Sequence, residues 1–153
     1  MSETVVTDRE LIKELKYRYC YALGFGEAKE FADLFTTDGV FEVPHANEQA
    51  QGHEELREVA EHIANFDTTC LAHFALNPVI TIDDDTATGR WFNIIIIEST
   101  DCRVEWGHSK YDDVYRRVDG EWKIELATVT RRHTLDLSGM TTKPGGASPL
   151  GDH

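Results

Sequence analysis

The sequence predicts an α+β fold in which three N-terminal helices lie across one face of a strongly bent antiparallel sheet. Apolar residues recur at every fourth position between residues 11 and 23, as on one face of an α-helix. Residues 71–132 form long runs of alternating apolar and polar residues, as in strands with one buried face. A bent sheet with helices across its mouth leaves a cavity between the two layers.

The most informative stretch runs from residue 111 to residue 124 and reads YDDVYRRVDGEWKI. Asp119-Gly120 between two strand-like runs is a strong hairpin signal, because a type I′ turn needs a positive φ at both central residues. The alternation continues back to about Arg103 and on to about Arg132. We therefore expect two long strands, joined at this turn, at the centre of the sheet.

Three helices are predicted before the long strands. Thr7-x-x-Glu10 has the form of a capping box, so the first helix should begin at Thr7 and end at Gly24 or Gly26. Its buried stripe should consist of Leu11, Leu15, Tyr19 and Leu23. A short second helix should follow, and a third should begin near Gly52.

The remaining strands are read from apolar runs and turn residues. They are expected at residues 40–43, 71–82 and 86–98, with a turn at residues 36–39 and a polar loop at residues 45–51. Pro78 indicates an edge position or a bulge, because proline cannot donate a hydrogen bond to a neighbouring strand. The strand at 86–98 is strongly apolar and should have a neighbour on both sides.

Length, charge and cysteine content restrict the class of protein. The 153 residues suffice for one domain, placed at residues 1–137, followed by a Gly-, Pro-, Ser- and Thr-rich flexible tail at residues 138–153. The net charge of −13 repels phosphate backbones and anionic lipid, so neither nucleic acid nor a membrane is expected as a partner. Three scattered cysteines and no recognisable signal peptide favour a cytoplasmic protein with reduced thiols.

Four segments of the chain carry a family resemblance. They read YRYCYALGFGE, FADLFTTDGVFEV, HFALNPVITIDDDTATGRW and YDDVYRRVDGEWKI, and they span roughly residues 8–132. In this order they resemble the nuclear-transport-factor-2-like superfamily, in particular its SnoaL-like branch. The resemblance implies a cone-shaped barrel of bent sheet and three helices around an apolar pocket. Members include dehydratases, isomerases, a dehydrochlorinase and plain binding proteins, so the fold leaves the function open.

Two histidines match the scytalone dehydratase-like group of this branch. His73 in AHFALN matches the histidine of a His-Phe pair at the start of that group's second strand. His108, seven residues before Tyr115, matches a second histidine. The resemblance therefore implies that His73 and His108 are catalytic.

The chain also departs from that group. The aspartate that the group carries at the end of its first helix is replaced here by Gly24, and the tyrosine that often precedes it is replaced by Leu23. A tyrosine of the group's first strand is replaced by Val43. Glu27 and Glu42 are the nearby acids that could take the place of the aspartate.

The chemistry expected of the cavity is proton transfer without a cofactor or a metal. Histidine titrates near neutrality, so His73 could act as a base and His108 as an acid or hydrogen-bond donor. The simpler alternative is that both are ordinary sheet histidines. The side chains expected to bind the substrate are Tyr19, Leu23, Phe41, Trp91, Asn93, Trp106 and Thr130.

Two functions and one assembly state follow. The first function is a cofactor-independent lyase or isomerase that acts on a small apolar cyclic or aromatic molecule. The second is a non-catalytic domain for ligand binding or subunit assembly. Because strand 86–98 has large apolar residues on both faces, we also expect a homodimer or homotrimer formed through the sheet, unless residues from Leu135 onward cover that face.

Overall fold

The computed structural model describes residues 3–65, 68–101 and 103–137, with side chains at residues 7–65, 70–101 and 103–137. The helices are α1 (Glu3–Phe25), α2 (Ala28–Asp33) and α3 (Gly52–Ala64), with a 3-10 turn at Pro44–Ala46. The strands are β1 (Phe35–Val43), β2 (Glu48–Gln51), β3 (Thr68–Asp83), β4 (Thr86–Ser99), β5 (Val104–Val118) and β6 (Glu121–Asp136). The predicted tail at residues 138–153 lies outside the described residues.

The described strands form one open sheet in the order β2-β1-β6-β5-β4-β3. All neighbouring pairs are antiparallel except β1 and β6, which run parallel. The sheet is therefore mixed, whereas the sequence predicted an antiparallel one. The α+β cone with its helices on one face is confirmed.

The central hairpin is confirmed. β5 and β6 are the two middle strands, and Val118 pairs with Glu121 across a two-residue turn. Asp119 and Gly120 have φ angles of 51° and 86°, as the predicted turn requires. Pro78 also behaves as predicted, because β3 is an edge strand and its register with β4 shifts between Leu76 and Val79.

Three local predictions were wrong. α1 begins at Glu3, so Thr7 lies inside the helix and does not cap it. β1 already begins at Phe35, because the Ile124 N–H of β6 donates to Leu34 O at 2.9 Å and draws the predicted turn into the sheet. The predicted loop contains β2, which pairs with β1 and buries Ala50.

The inner face of the sheet is the one covered by α1. Residues directly opposite each other on neighbouring strands share a face, so Trp91 and Tyr111 identify the inner face of β4 and β5. Both are almost completely buried. On α1 the buried stripe contains Ile12, and the predicted Leu11 is exposed.

A buried link fixes the start of α1 on the central hairpin. Asp8 Oδ1 pairs with Arg117 Nη2 at 2.7 Å and accepts a hydrogen bond from Trp122 Nε1 at 3.1 Å. The Arg117 guanidinium also stacks over the Trp122 ring at 4.5 Å. Within the described residues, α1 and the other helices are too short or too polar to cross a membrane.

Candidate functional site

A groove of about 700 Å³ lies between α1 and the edge strand β3. Its size is typical of sites for small molecules. Its lining is mostly apolar and aromatic and consists of Tyr17, Cys20, Tyr21, Gly24, Phe25 and residues 70–76. Tyr21 and Phe25 stack on each other at its rim, 6.0 Å between ring centroids.

Gly24 allows α1 to approach β3 closely. A Cβ atom at this position would lie 3.1 Å from Leu71 O, which is a tight contact. Gly24 is also the residue that the family resemblance matches to the missing aspartate. The close contact explains why a side chain at this position is disfavoured in this chain.

His73 lines the groove from β3. Its Nδ1 atom is buried and has no hydrogen-bond partner among the described residues. Burial, and to a lesser degree the positive charge of Lys16, lower the pKa of His73 to about 4. The imidazole is therefore neutral at pH 7 and able to accept a proton.

His108 does not share the groove with His73, which corrects the expectation that both histidines face one cavity. His73 pairs with Ile95, whereas His108 pairs with Ile94. Because Ile94 and Ile95 are adjacent on one strand, their side chains point to opposite faces of the sheet. His108 lies on the outer face, with its ring 5.5 Å from the ring of Phe92.

The other predicted substrate-binding residues divide in the same way. Trp106 pairs with Ile96, and Thr130 pairs with Lys110, so both belong to the outer face and are corrected as groove residues. The side chains that belong to the buried interior are Tyr19, Leu23, Phe41, Trp91 and Asn93. None of these five lines the groove directly, although Asn93 pairs with Ala75, which does.

A buried polar chain lies on the inner face and was not predicted from the sequence. Lys16 Nζ pairs with Asp113 Oδ2 at 2.9 Å, and both side chains are completely buried. Tyr115 OH donates to the same carboxylate oxygen at 2.7 Å, and Trp91 Nε1 donates to Tyr115 OH at 3.0 Å. Tyr17, which lines the groove, meets the Trp91 ring edge-on at 6.3 Å. The chain therefore begins directly beside the groove.

Aromatic rings complete the surroundings of Lys16. Its ammonium lies 3.9 Å from the ring centroid of Tyr19 and 3.5 Å from that of Tyr111. Burial raises the pKa of Asp113, and the adjacent Lys16 ammonium opposes this. Burial also raises the pKa of Tyr111 well above its ordinary value, so its hydroxyl stays protonated.

The acids considered as replacements for the missing aspartate do not line the groove. Glu27 is exposed after α1, and Glu42 accepts a hydrogen bond from Thr128 at 2.7 Å on β6. Cys20 lines the groove as a largely buried thiol whose pKa is raised by burial. Among the described residues, His, Cys, Asp and Glu side chains do not gather into a group of three or more that could hold a metal ion.

The bent sheet, the three helices and the groove beside α1 define a protein of the nuclear-transport-factor-2-like α+β cone class. The sequence model of the SnoaL-like domain matches residues 4–128, and the chain therefore belongs to that family.

Solved structures agree with this assignment. A candidate scytalone dehydratase from Novosphingobium aromaticivorans has a TM-score of 0.81 at 25% identity, over 89% of this chain and 91% of that one. A candidate aromatic ring hydroxylase from the same species has a TM-score of 0.77 at 26% identity, over 86% and 94%. A hexachlorocyclohexane dehydrochlorinase, LinA type 2, reaches 0.82 at 16% identity over 92% and 96%, which shows a common fold alone.

Proposed function

We propose that this protein is a cofactor-independent lyase or isomerase that acts on a small apolar cyclic or aromatic molecule in the groove. The observation that carries the proposal is His73, a neutral imidazole on the groove wall whose Nδ1 atom lacks a partner among the described residues. The aromatic lining supports an apolar ring as substrate. The similarity to a candidate scytalone dehydratase supports elimination as the reaction type.

The chemistry needs one base and one stabilising donor. His73 takes a proton from the carbon beside a carbonyl, and the C–H electron pair passes towards the carbonyl oxygen to form an enolate. The enolate pair then forms the new double bond as the leaving group departs with its bonding pair, and the imidazolium gives its proton to the leaving group or to water. Negative charge on the carbonyl oxygen requires a hydrogen-bond donor. Asn93 is suited to this role, because it lies two residues from Ile95, the partner of His73, on the same face.

A second candidate function is ligand binding without catalysis. The observation that favours it is the lack of a carboxylate beside His73 among the described residues, together with its pKa of about 4. A catalytic base is most effective when its pKa lies near the working pH, and His73 is a weaker base than that.

The two functions are separated by turnover of cyclic ketones that carry a hydroxyl or chloride on the β carbon. Elimination produces a conjugated ketone, which is followed by its ultraviolet absorbance. His73→Ala should lose about a hundredfold or more in rate, the scale of a general base. His108→Ala, which removes a histidine from the outer face, is the matched control and should keep the wild-type rate.

Near-wild-type turnover by His73→Ala would remove His73 from the mechanism. Tight binding of these ketones without turnover by the wild type would instead favour the binding function.

A further inference from the structure

Three polar side chains on the inner face lie side by side without partners among the described residues. Both amide atoms of Asn93, the hydroxyl of Ser109 and Nδ1 of His73 are buried and make no hydrogen bond there. Asn93 and Ser109 are 0% and 1% exposed. Each such group left unsatisfied costs about 1–3 kcal/mol, so a cluster of them requires an explanation.

The register of the sheet brings these groups together. Asn93 lies directly opposite Ser109 on β5 and Ala75 on β3. His73 is the next residue on the same face of β3, which makes it the diagonal neighbour of Asn93. Ala75 and His73 both line the groove, so the cluster adjoins the groove wall.

We infer that Asn93 and Ser109 form the polar end of a ligand site whose apolar part is the groove, and that this site takes an uncharged cyclic molecule with a carbonyl next to a hydroxyl. The inference deepens the proposed function and rests on it only in placing the ligand in the same groove. Asn93 is separated from the groove by Ala75, which lies directly opposite it on β3 and lines the groove together with Cys20.

The ligand class follows from the hydrogen-bonding capacity of the cluster. A primary amide offers both N–H donors and a carbonyl acceptor, and a hydroxyl can act in either way. A carbonyl and a neighbouring hydroxyl on the ligand would therefore satisfy both amide atoms of Asn93 at once. A hydrocarbon would leave them unpaired.

The charge balance of the inner face favours an uncharged ligand. Lys16 is a buried cation on the same inner face, and it is already paired with Asp113 at 2.9 Å. A ligand carboxylate would enter without a free counter-charge, and an unpaired buried charge is strongly unfavourable. Asp113 Oδ2 is engaged by Lys16 and Tyr115, so a cationic ligand would have to compete with Lys16 for the carboxylate, whose Oδ1 atom makes no hydrogen bond among the described residues.

Calorimetric titration with four indane probes tests the inference. The probes are indane, 1-indanone, 2-hydroxy-1-indanone and indane-1-carboxylate. Wild-type protein should bind the hydroxyketone at least about tenfold more tightly than indane, and the carboxylate most weakly. Asn93→Leu, which keeps the side-chain size, should abolish this preference while indane affinity stays within about twofold. Ser109→Ala should reduce the preference severalfold.

The matched control is Thr36→Val. Thr36 also has a buried hydroxyl without a partner among the described residues, but it lies on β1 and does not line the groove. Its replacement should leave the preference unchanged.

Four results would overturn the inference: equal affinity for the three uncharged probes, tightest binding of the carboxylate, no binding of any probe at millimolar concentration, or a preference that survives Asn93→Leu. The measurement does not depend on turnover. Selective binding without catalysis would contradict the proposed enzymatic function but support this ligand site. Catalysis without the binding preference would contradict the ligand site but support the enzymatic function.

Discussion

The Lys16 ammonium and the Asp113 carboxylate lie 2.9 Å apart and are both completely buried. They join the middle of α1 to the centre of β5, two elements that are far apart in the chain. Such a pair makes a small net contribution to stability when it is complete. Removing one partner is costly, because the remaining charge is then buried without a counter-charge or solvating water.

Lys16→Met should therefore lower the free energy of unfolding by about 3–5 kcal/mol near neutral pH. The loss of stability caused by Lys16→Met should become smaller as the pH falls towards 4. Without the cation, the pKa of Asp113, already raised by burial, rises further, so the folded state binds more protons than the unfolded state and loses stability as the pH rises. Urea unfolding between pH 4 and pH 8 measures this.

The control for Lys16→Met is the double variant Lys16→Met/Asp113→Leu. It removes both charges and should recover most of the lost stability. A loss for Lys16→Met that does not depend on pH would contradict the assignment of the cost to Asp113.

The neutral state of His73 should make the fold sensitive to mild acid. The pKa of His73 in the folded state, about 4, lies below the ordinary 6.5. Neutral His73 therefore contributes to the free energy of unfolding above pH 6.5, and this contribution is lost as the pH falls towards 4. A difference of this size corresponds to about 3 kcal/mol. Stability curves of the wild type and of His73→Gln over this range measure the contribution, because the glutamine variant should lose less stability on acidification. Parallel curves would contradict it.

Gly24→Ala should not stabilise the protein, although alanine in a helix is usually favoured over glycine by about 1 kcal/mol. The new Cβ atom would press against Leu71 O at 3.1 Å. Gly24→Asp should cost more, because a carboxylate would then stand beside that carbonyl oxygen. Thermal unfolding of both variants checks this. An increase of about 1 kcal/mol in the free energy of unfolding of Gly24→Ala would contradict the prediction and show that β3 shifts to accommodate the new Cβ atom.

We propose that the protein self-associates through the outer face of the sheet. Phe74 and Phe92 are 44% and 53% exposed there, and Ile94 lies directly opposite Phe74 and two residues from Phe92 on β4. Sedimentation equilibrium should give a dimer or trimer, which Phe92→Asp or Ile94→Asp should dissociate. Ile95 lies on the inner face, so Ile95→Asp should instead destabilise each subunit.

A wild-type mass of 17.4 kDa at micromolar concentration would contradict self-association. It would favour the alternative, in which residues from Leu135 onward cover this face.

The elements that local chemistry determines could be predicted from the sequence. The central hairpin follows from Asp119-Gly120, and the edge position of β3 follows from Pro78. The start of β1 could not be predicted, because it depends on a hydrogen bond between Leu34 and Ile124, which are distant in the chain. Secondary structure formed by such contacts has no local signal.

The candidate site was predicted only in part, for a related reason. The family match identifies His73, but the face that His108 occupies depends on the register of β4 against both of its neighbours. Lys16 did carry a usable signal, because it lies one helical turn after Ile12 and one before Tyr19, on the buried stripe of α1. A lysine on such a stripe requires a buried acid, and Asp113 shares a face with Tyr111 and Tyr115 in the alternating pattern.

The attachment of α1 has a mechanical consequence for the groove. The helix is held at Asp8 by Arg117 and in its middle by the buried pair with Asp113, whereas the groove borders residues from Tyr17 to Phe25. Beyond Lys16, the side chains of Tyr19, Ala22 and Leu23 are almost completely buried and hold the second half of the helix on the sheet. The α1 wall of the groove is therefore anchored along its length, and we expect the groove to discriminate between molecules by their shape.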